Sequence, residues 1–184
     1  MHRIFFILLI LTVCIHWHGH AQKDTTVYYP EVASVEWKER GLTLGANYSR
    51  YFFGEIGHYR SYVWEAGGFP TLSTLMSYGS EVAYLDKLVA GPKIQARMHA
   101  YIFNGSISSI LYTDFKNGYC VKLRPELGIG LWNFDLNYGY NFGIVKNEFD
   151  QVNRHIITFR YYLRLKRKFL NELDRDGNSI RRKN

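Results

Sequence analysis

An all-β chain folded as an antiparallel up-and-down transmembrane β-barrel of about eight strands is the architecture this sequence predicts, and three observations predict it. Polar and apolar residues alternate with period two through most of the chain, the signature of half-buried strands. Asn-Gly pairs and other turn formers interrupt the alternation at hairpin spacing. The polar faces of several segments are built from Thr, Gly, Asn, Ser and Asp, where a soluble sheet would carry Lys and Glu.

The first clear strand is residues 41–52, with Leu42, Leu44, Ala46 and Tyr48 on one face and Thr43, Gly45, Asn47 and Ser49 on the other. Residues 59–65 and 80–84 read as strands around a connection rich in Gly, Pro and Ser. In residues 91–103, Ile94, Ala96, Met98 and Ala100 oppose Gln95, Arg97, His99 and Tyr101. Asn104-Gly105 then predicts a turn into a strand over residues 106–115. Asn117-Gly118 leads into residues 119–131, where Val121, Leu123, Leu127 and Ile129 alternate with Cys120, Lys122, Arg124 and Glu126. Past a Trp132-Asn133 corner, Phe134, Leu136, Tyr138, Tyr140 and Phe142 alternate with Asp135, Asn137, Gly139, Asn141 and Gly143. The last strand, residues 155–165, sets Ile157, Phe159, Tyr161, Leu163 and Leu165 against Thr158, Arg160, Tyr162 and Arg164.

Composition sets the outer limits. The chain has 184 residues, 47% hydrophobic and 17% aromatic, which is one domain's worth of sequence and too apolar for disorder. Two cysteines exclude a disulfide-dense mini-fold. The net charge of +7 is local: nine basic and three acidic residues lie from Arg160 onward, while 13 of each balance between Lys23 and Arg154. A neutral body with a basic end, and no recognised binding motif, argues against nucleic acid as a partner.

The first residues read as an export signal. Met1-His2-Arg3 is a positive n-region, residues 4–15 are almost wholly apolar, and Gly19-His20-Ala21 predicts cleavage before Gln22. Cleavage leaves 163 residues and removes His16, His18 and His20 with the signal. The mature histidines, His58, His99 and His155, have no metal-ligand spacing, and no cofactor is expected. Leu11-Thr12-Val13-Cys14 is a loose lipobox-like alternative in which Cys14 carries the lipid. The organisation expected is a signal peptide over 1–21, a lead-in over 22–40, the barrel over 41–165 and a basic tail over 166–184.

Small polar residues suit the crowded inside of a narrow barrel, and aromatics such as Tyr48, Phe52, Trp132, Tyr138, Tyr140 and Phe142 suit girdles at a lipid–water boundary. Strands of about ten residues match a tilted membrane span. Over residues 41–165, the strand rhythm and the stretches Gly41-Leu-Thr-Leu-Gly-Ala-Asn-Tyr48, Pro125-Glu-Leu-Gly-Ile-Gly130 and Asn137-Tyr-Gly-Tyr-Asn141 make this chain similar to small outer-membrane β-barrel proteins of Gram-negative bacteria, the broad OmpX/OmpA-type class. Such barrels often end on an aromatic residue that closes the last strand; here about 19 residues follow Leu165, and Phe169 is the aromatic on offer. The resemblance implies the cell outer membrane as location, outer-membrane lipid as surroundings, and longer loops outside the cell.

Two groups of residues are candidates for function. Arg97, Lys122, Arg124, Glu126, Asp135, Arg160 and Arg164 fall on the polar faces of neighbouring strands, as a salt-bridge network filling the lumen or as the lining of a polar pore or cavity. Tyr59, Tyr62, Trp64 and Phe69 lie on a long connection over residues 54–77, as surface-loop recognition residues for an extracellular or periplasmic protein or glycan, or as a plug. Ser106, Ser108, Asp114 and Asp150 provide hydrolase residue types near His99 and His155, but without a recognised spacing, so no catalytic residue is assigned. Asp174-Arg-Asp-Gly-Asn fails the calcium-loop spacing and reads as a solvated turn. The expectation is a non-enzymatic outer-membrane barrel with a structural or surface-interaction role, too narrow for a wide porin. The alternatives are a periplasmic soluble or lipid-anchored barrel that turns its Leu/Tyr/Phe face inward around an apolar ligand, and a lipid-modifying barrel enzyme.

Overall fold

The computed structural model describes residues 32–66, 69–84, 87–116, 118–131, 133–147 and 152–174. The segment expected to be an export signal, Cys14, Asp150 and the stretch after Asp174 lie outside these residues.

Nine strands run in chain order: β1 Val32–Tyr48, β2 Phe52–Ala66, β3 Phe69–Tyr84, β4 Leu88–Ala100, β5 Phe103–Thr113, β6 Tyr119–Leu131, β7 Phe134–Tyr140, β8 Phe142–Asn147 and β9 His155–Asp174. Each pairs antiparallel with its sequence neighbour from β1 to β6. β7 and β8 share one position: β7 pairs with residues 126–131 of β6 and β8 with residues 120–123. The break between them is Asn141, whose N–H donates to the Arg154 carbonyl at 2.7 Å. β7 also pairs with β9, and β9 with β1, so eight strand positions close into an up-and-down barrel. Closure leaves no sheet edge around the body.

The turns after β1, β3 and β5 and the connection into β9 share one end of the barrel, the loop end. The terminal end holds the start of β1, the end of β9 and the turns after β2, β4 and β6. There β9, β1, β2 and β3 outrun the other strands: β7 stops opposite Tyr161, whereas β9 continues along β1 to Asp174, and β2 stays paired with β3 to Ala66 and Phe69.

Pairing corrects five expectations. The expected lead-in is strand from Val32, and the expected basic tail is strand through Asp174. The long connection over residues 54–77 is instead the facing halves of β2 and β3, which meet at Ala66 and Phe69. Asn104-Gly105 lies inside β5, and the chain reverses at Tyr101-Ile102, with Tyr101 left-handed at φ 54°. Gly105 is held between Met98 and Leu127 in a continuous ladder, so the ladder overrides the local turn preference. β1 also ends at Tyr48, short of residue 52.

Alternation is carried by the ladders from strand to strand, so each strand sends one face inward. The inward face is the polar one. Thr43, Asn47, Glu55, Glu81, Gln95, Arg97, Arg124, Glu126, Asp135, Asn137, Thr158 and Arg160 are buried, whereas Leu44, Ile56, Met76, Ile94, Ile107, Leu127, Leu136 and Ile157 are exposed.

Candidate functional site

The interior is a stack of four layers. At the loop end Phe53, Ala83, Val89, Ile110, Tyr112, Cys120 and Val152 form an apolar cluster. Beneath it lie the charged groups, then Tyr59, Leu75 and Tyr162, with the two tyrosine rings edge to face at 5.3 Å. At the terminal end Glu39 accepts from Trp37 Nε1 at 2.7 Å and from Arg167 Nε at 2.9 Å, and pairs with Arg164 at 3.4 Å.

Three buried glutamates organise the charged layer. Glu81 accepts from both terminal guanidinium nitrogens of Arg124, at 2.6 and 3.1 Å, with the Tyr112 hydroxyl and Lys93 at its other positions. Glu55 takes Lys93 at 2.6 Å, Arg160 Nε at 3.0 Å and Asn47 at 3.3 Å. Glu126 holds Arg160 with two bonds, at 2.7 and 2.9 Å, and also accepts from Ser106, Gln95 and Arg97. Asp135 pairs with Arg97 and accepts from Tyr162 at 2.8 Å. Burying a guanidinium is tolerable only with such paired, bidentate partners.

Register explains why these groups meet. Arg160 on β9 lies opposite Gly45 on β1, and Gly45 lies opposite Glu55 on β2. A Cβ at position 45 would sit 3.3 Å from Glu55 Oε2, so the glycine keeps the path from Arg160 to Glu55 open. Gly139 does the same on β7, where a Cβ would meet Glu126 Cγ at 2.9 Å and Arg124 Cδ at 3.2 Å.

Among the candidates from sequence, Arg97, Arg124, Glu126, Asp135 and Arg160 come together in this network. Lys122 is buried beside them and reaches the Val152 carbonyl at 3.4 Å. Arg164 stands apart, half-buried in the Glu39 group. Sequence reasoning missed Glu55, Glu81, Lys93, Tyr112 and Tyr162. Charge balance is the signal for the two acids, since the five candidate cations outnumber Glu126 and Asp135. The aromatic candidates are strand residues, not loop residues: Tyr59 is buried on β2, Tyr62 is exposed on β2, Trp64 is half-buried on β2, and Phe69 opens β3.

The residues considered for hydrolysis do not assemble. His99 Nε2 faces Asp135 at 3.5 Å, and Ser106 donates to Glu126 at 2.9 Å. His155 is on the outside, where its Nδ1 meets the Tyr138 hydroxyl at 2.5 Å. Among the described residues no group of three His, Cys, Asp or Glu side chains could hold a metal.

The outer surface is the second unusual feature. From Leu42 to Tyr48 on β1, and along the outward positions of β3 to β7, no Asp, Glu, Lys or Arg occurs. Exposed aromatics stand at both edges of this belt, Tyr48, Phe52, Tyr84, Tyr119 and Phe142 near the loop end and Tyr62, Tyr101, Phe103 and Phe134 near the terminal end, with Tyr78, Tyr138 and Phe159 exposed within it. The inward Leu/Tyr/Phe face required for an apolar-ligand barrel therefore points outward. Comparison with known proteins finds no matching family profile, no matching curated sequence and no matching solved structure.

Proposed function

We propose that this chain is an integral outer-membrane β-barrel protein with a structural or surface-interaction role, exported by its N-terminal signal. One observation carries the reading: the barrel is inside-out, with ion pairs buried and an uncharged apolar belt exposed. In water, such a belt would lose the hydrophobic gain of about 25 cal/mol per Å² that normally drives folding. Against lipid the same belt sits in its preferred solvent, and closure satisfies the backbone.

Dimensions support it. β4 and β6 each have 13 residues, and strands tilted by about 40° advance roughly 2.5 Å per residue along the barrel axis, enough for an apolar band of about 25 Å. The aromatic edges correspond to interfacial girdles. The interior supports a closed barrel: Arg124, Arg160, Tyr112, Phe53 and Ile110 are fully buried within it, so a wide porin channel has no room.

Membrane fractionation combined with a heat-modifiability gel tests the reading. The chain is expected in the membrane fraction, with a mobility shift between unheated and boiled samples. Recovery as a soluble periplasmic protein without that shift would overturn it.

A further inference from the structure

Beyond the belt, the outer face formed by β9, β1 and β2 carries its cations in rows. Arg40 on β1 lies opposite Lys166 on β9 and Arg60 on β2. One step further out, Lys38 lies opposite Lys168 on β9 and Tyr62 on β2. All five cations are exposed. Directly opposed side chains are about 5 Å apart at Cβ, and like charges placed there repel.

One described acid shares the face: Glu36, opposite Trp64 and Asn171, lies beyond the two rows rather than between their members. Glu39, on the opposite face of β1, is taken by Arg164 and Arg167. None of the five cations makes an ion pair with a described acidic residue. A surface that opposes cation to cation in two successive rows is complementary to an array of anions.

Position identifies the array. Arg40 follows directly on the apolar belt, two residues from Leu42, and Arg60 is two residues from His58. Tyr62 and Trp64 share the same face of β2. Long Lys and Arg stems can lie along an apolar surface with their charged ends at headgroup depth. A strand-adding protein partner fits less well. Where β9 passes β7, its free edge is kinked at Leu165 and Leu170, the residues skipped in its register with β1, and bears lysines; both features discourage edge pairing.

We propose that the outer face of β9–β1–β2 binds the phosphate groups of anionic phospholipids in the adjoining leaflet. The inference rests on the membrane reading above.

The test reconstitutes the full chain into phosphatidylcholine vesicles containing a minor fraction of spin-labelled phosphatidylglycerol or spin-labelled phosphatidylcholine. Flotation with the vesicles reports insertion, and the motionally restricted spin-label fraction reports lipid preference. The expected result is a preference for phosphatidylglycerol of at least about fivefold, reduced by salt. The Lys38→Gln/Arg40→Gln/Arg60→Gln/Lys166→Gln/Lys168→Gln variant should float equally and lose the preference. Arg50→Gln/Lys116→Gln/Arg154→Gln, which neutralises cations at the loop end, should keep it. A floating chain without preference, or equal loss in both variants, overturns the headgroup site and leaves the membrane reading standing; the former returns the rows to an acidic protein partner. Failure to float overturns both.

Discussion

Arg160 and Arg40 lie on directly paired strands and live by opposite rules. Inside the barrel, Arg160 is surrounded by carboxylates, two bonds to Glu126 and two to Glu55. On the outer face at the terminal end, Arg40 is flanked by Lys166 and Arg60. A cation withdrawn from water must bring its counter-charge with it, whereas a cation at a surface can borrow one from its surroundings. The difference teaches that Arg160 meets its counter-charges inside the barrel, whereas Arg40 meets like charge across both of its ladders.

Breaking the interior should have the largest effect. Glu126→Ala leaves Arg160 and Arg97 each one carboxylate short in the buried interior, with an expected cost of about 3–5 kcal/mol. Unfolding in urea, followed by loss of the fast-migrating gel band, measures it. An unchanged midpoint would show that the network is not what holds the interior together.

The outer surface comes next. Ile94 is 63% exposed at the middle of β4, and Ile94→Arg should destabilise a lipid-inserted barrel by about 2–4 kcal/mol. In a water-facing barrel the same exposed position would tolerate arginine within about 0.5 kcal/mol. Stability measured in lipid vesicles separates the two.

The smallest effect belongs to the loop end. Asp114 sits in the turn after β5, where the Lys87 ammonium and the N–H groups of Lys116 and Gly118 hold its carboxyl down at about 2. A lowered carboxyl contributes its stability above the unfolded value of about 3.9 and loses it as the pH falls through about 2. Acid titration of the wild type should therefore show a modest loss of stability between about pH 4 and pH 2 that Asp114→Asn lacks. Identical acid curves would refute the assignment.

Much of the barrel was legible because alternation is a local property. The strand over residues 119–131 coincides with β6, since its turn signals and its period agree. The projecting sheet was not legible, for a physical reason. Charged residues occupy the outward positions of residues 36–40, and two bulges in β9 shift the phase at Leu165 and Leu170, so no periodic pattern survives there. Pairing with β1 alone makes residues 166–174 a strand.

By itself the sequence determined which side chains share a face, because the pleat alternates with every residue whatever the strand touches. Which acid meets which base was decided only by closure. Glu55 and Arg160 are 105 positions apart in the chain, and they meet because β9 returns beside β1 with Gly45 between them. The same closure, carried past the barrel wall, opposed Lys166, Arg40 and Arg60. No local pattern encodes that row, because its members come from three strands.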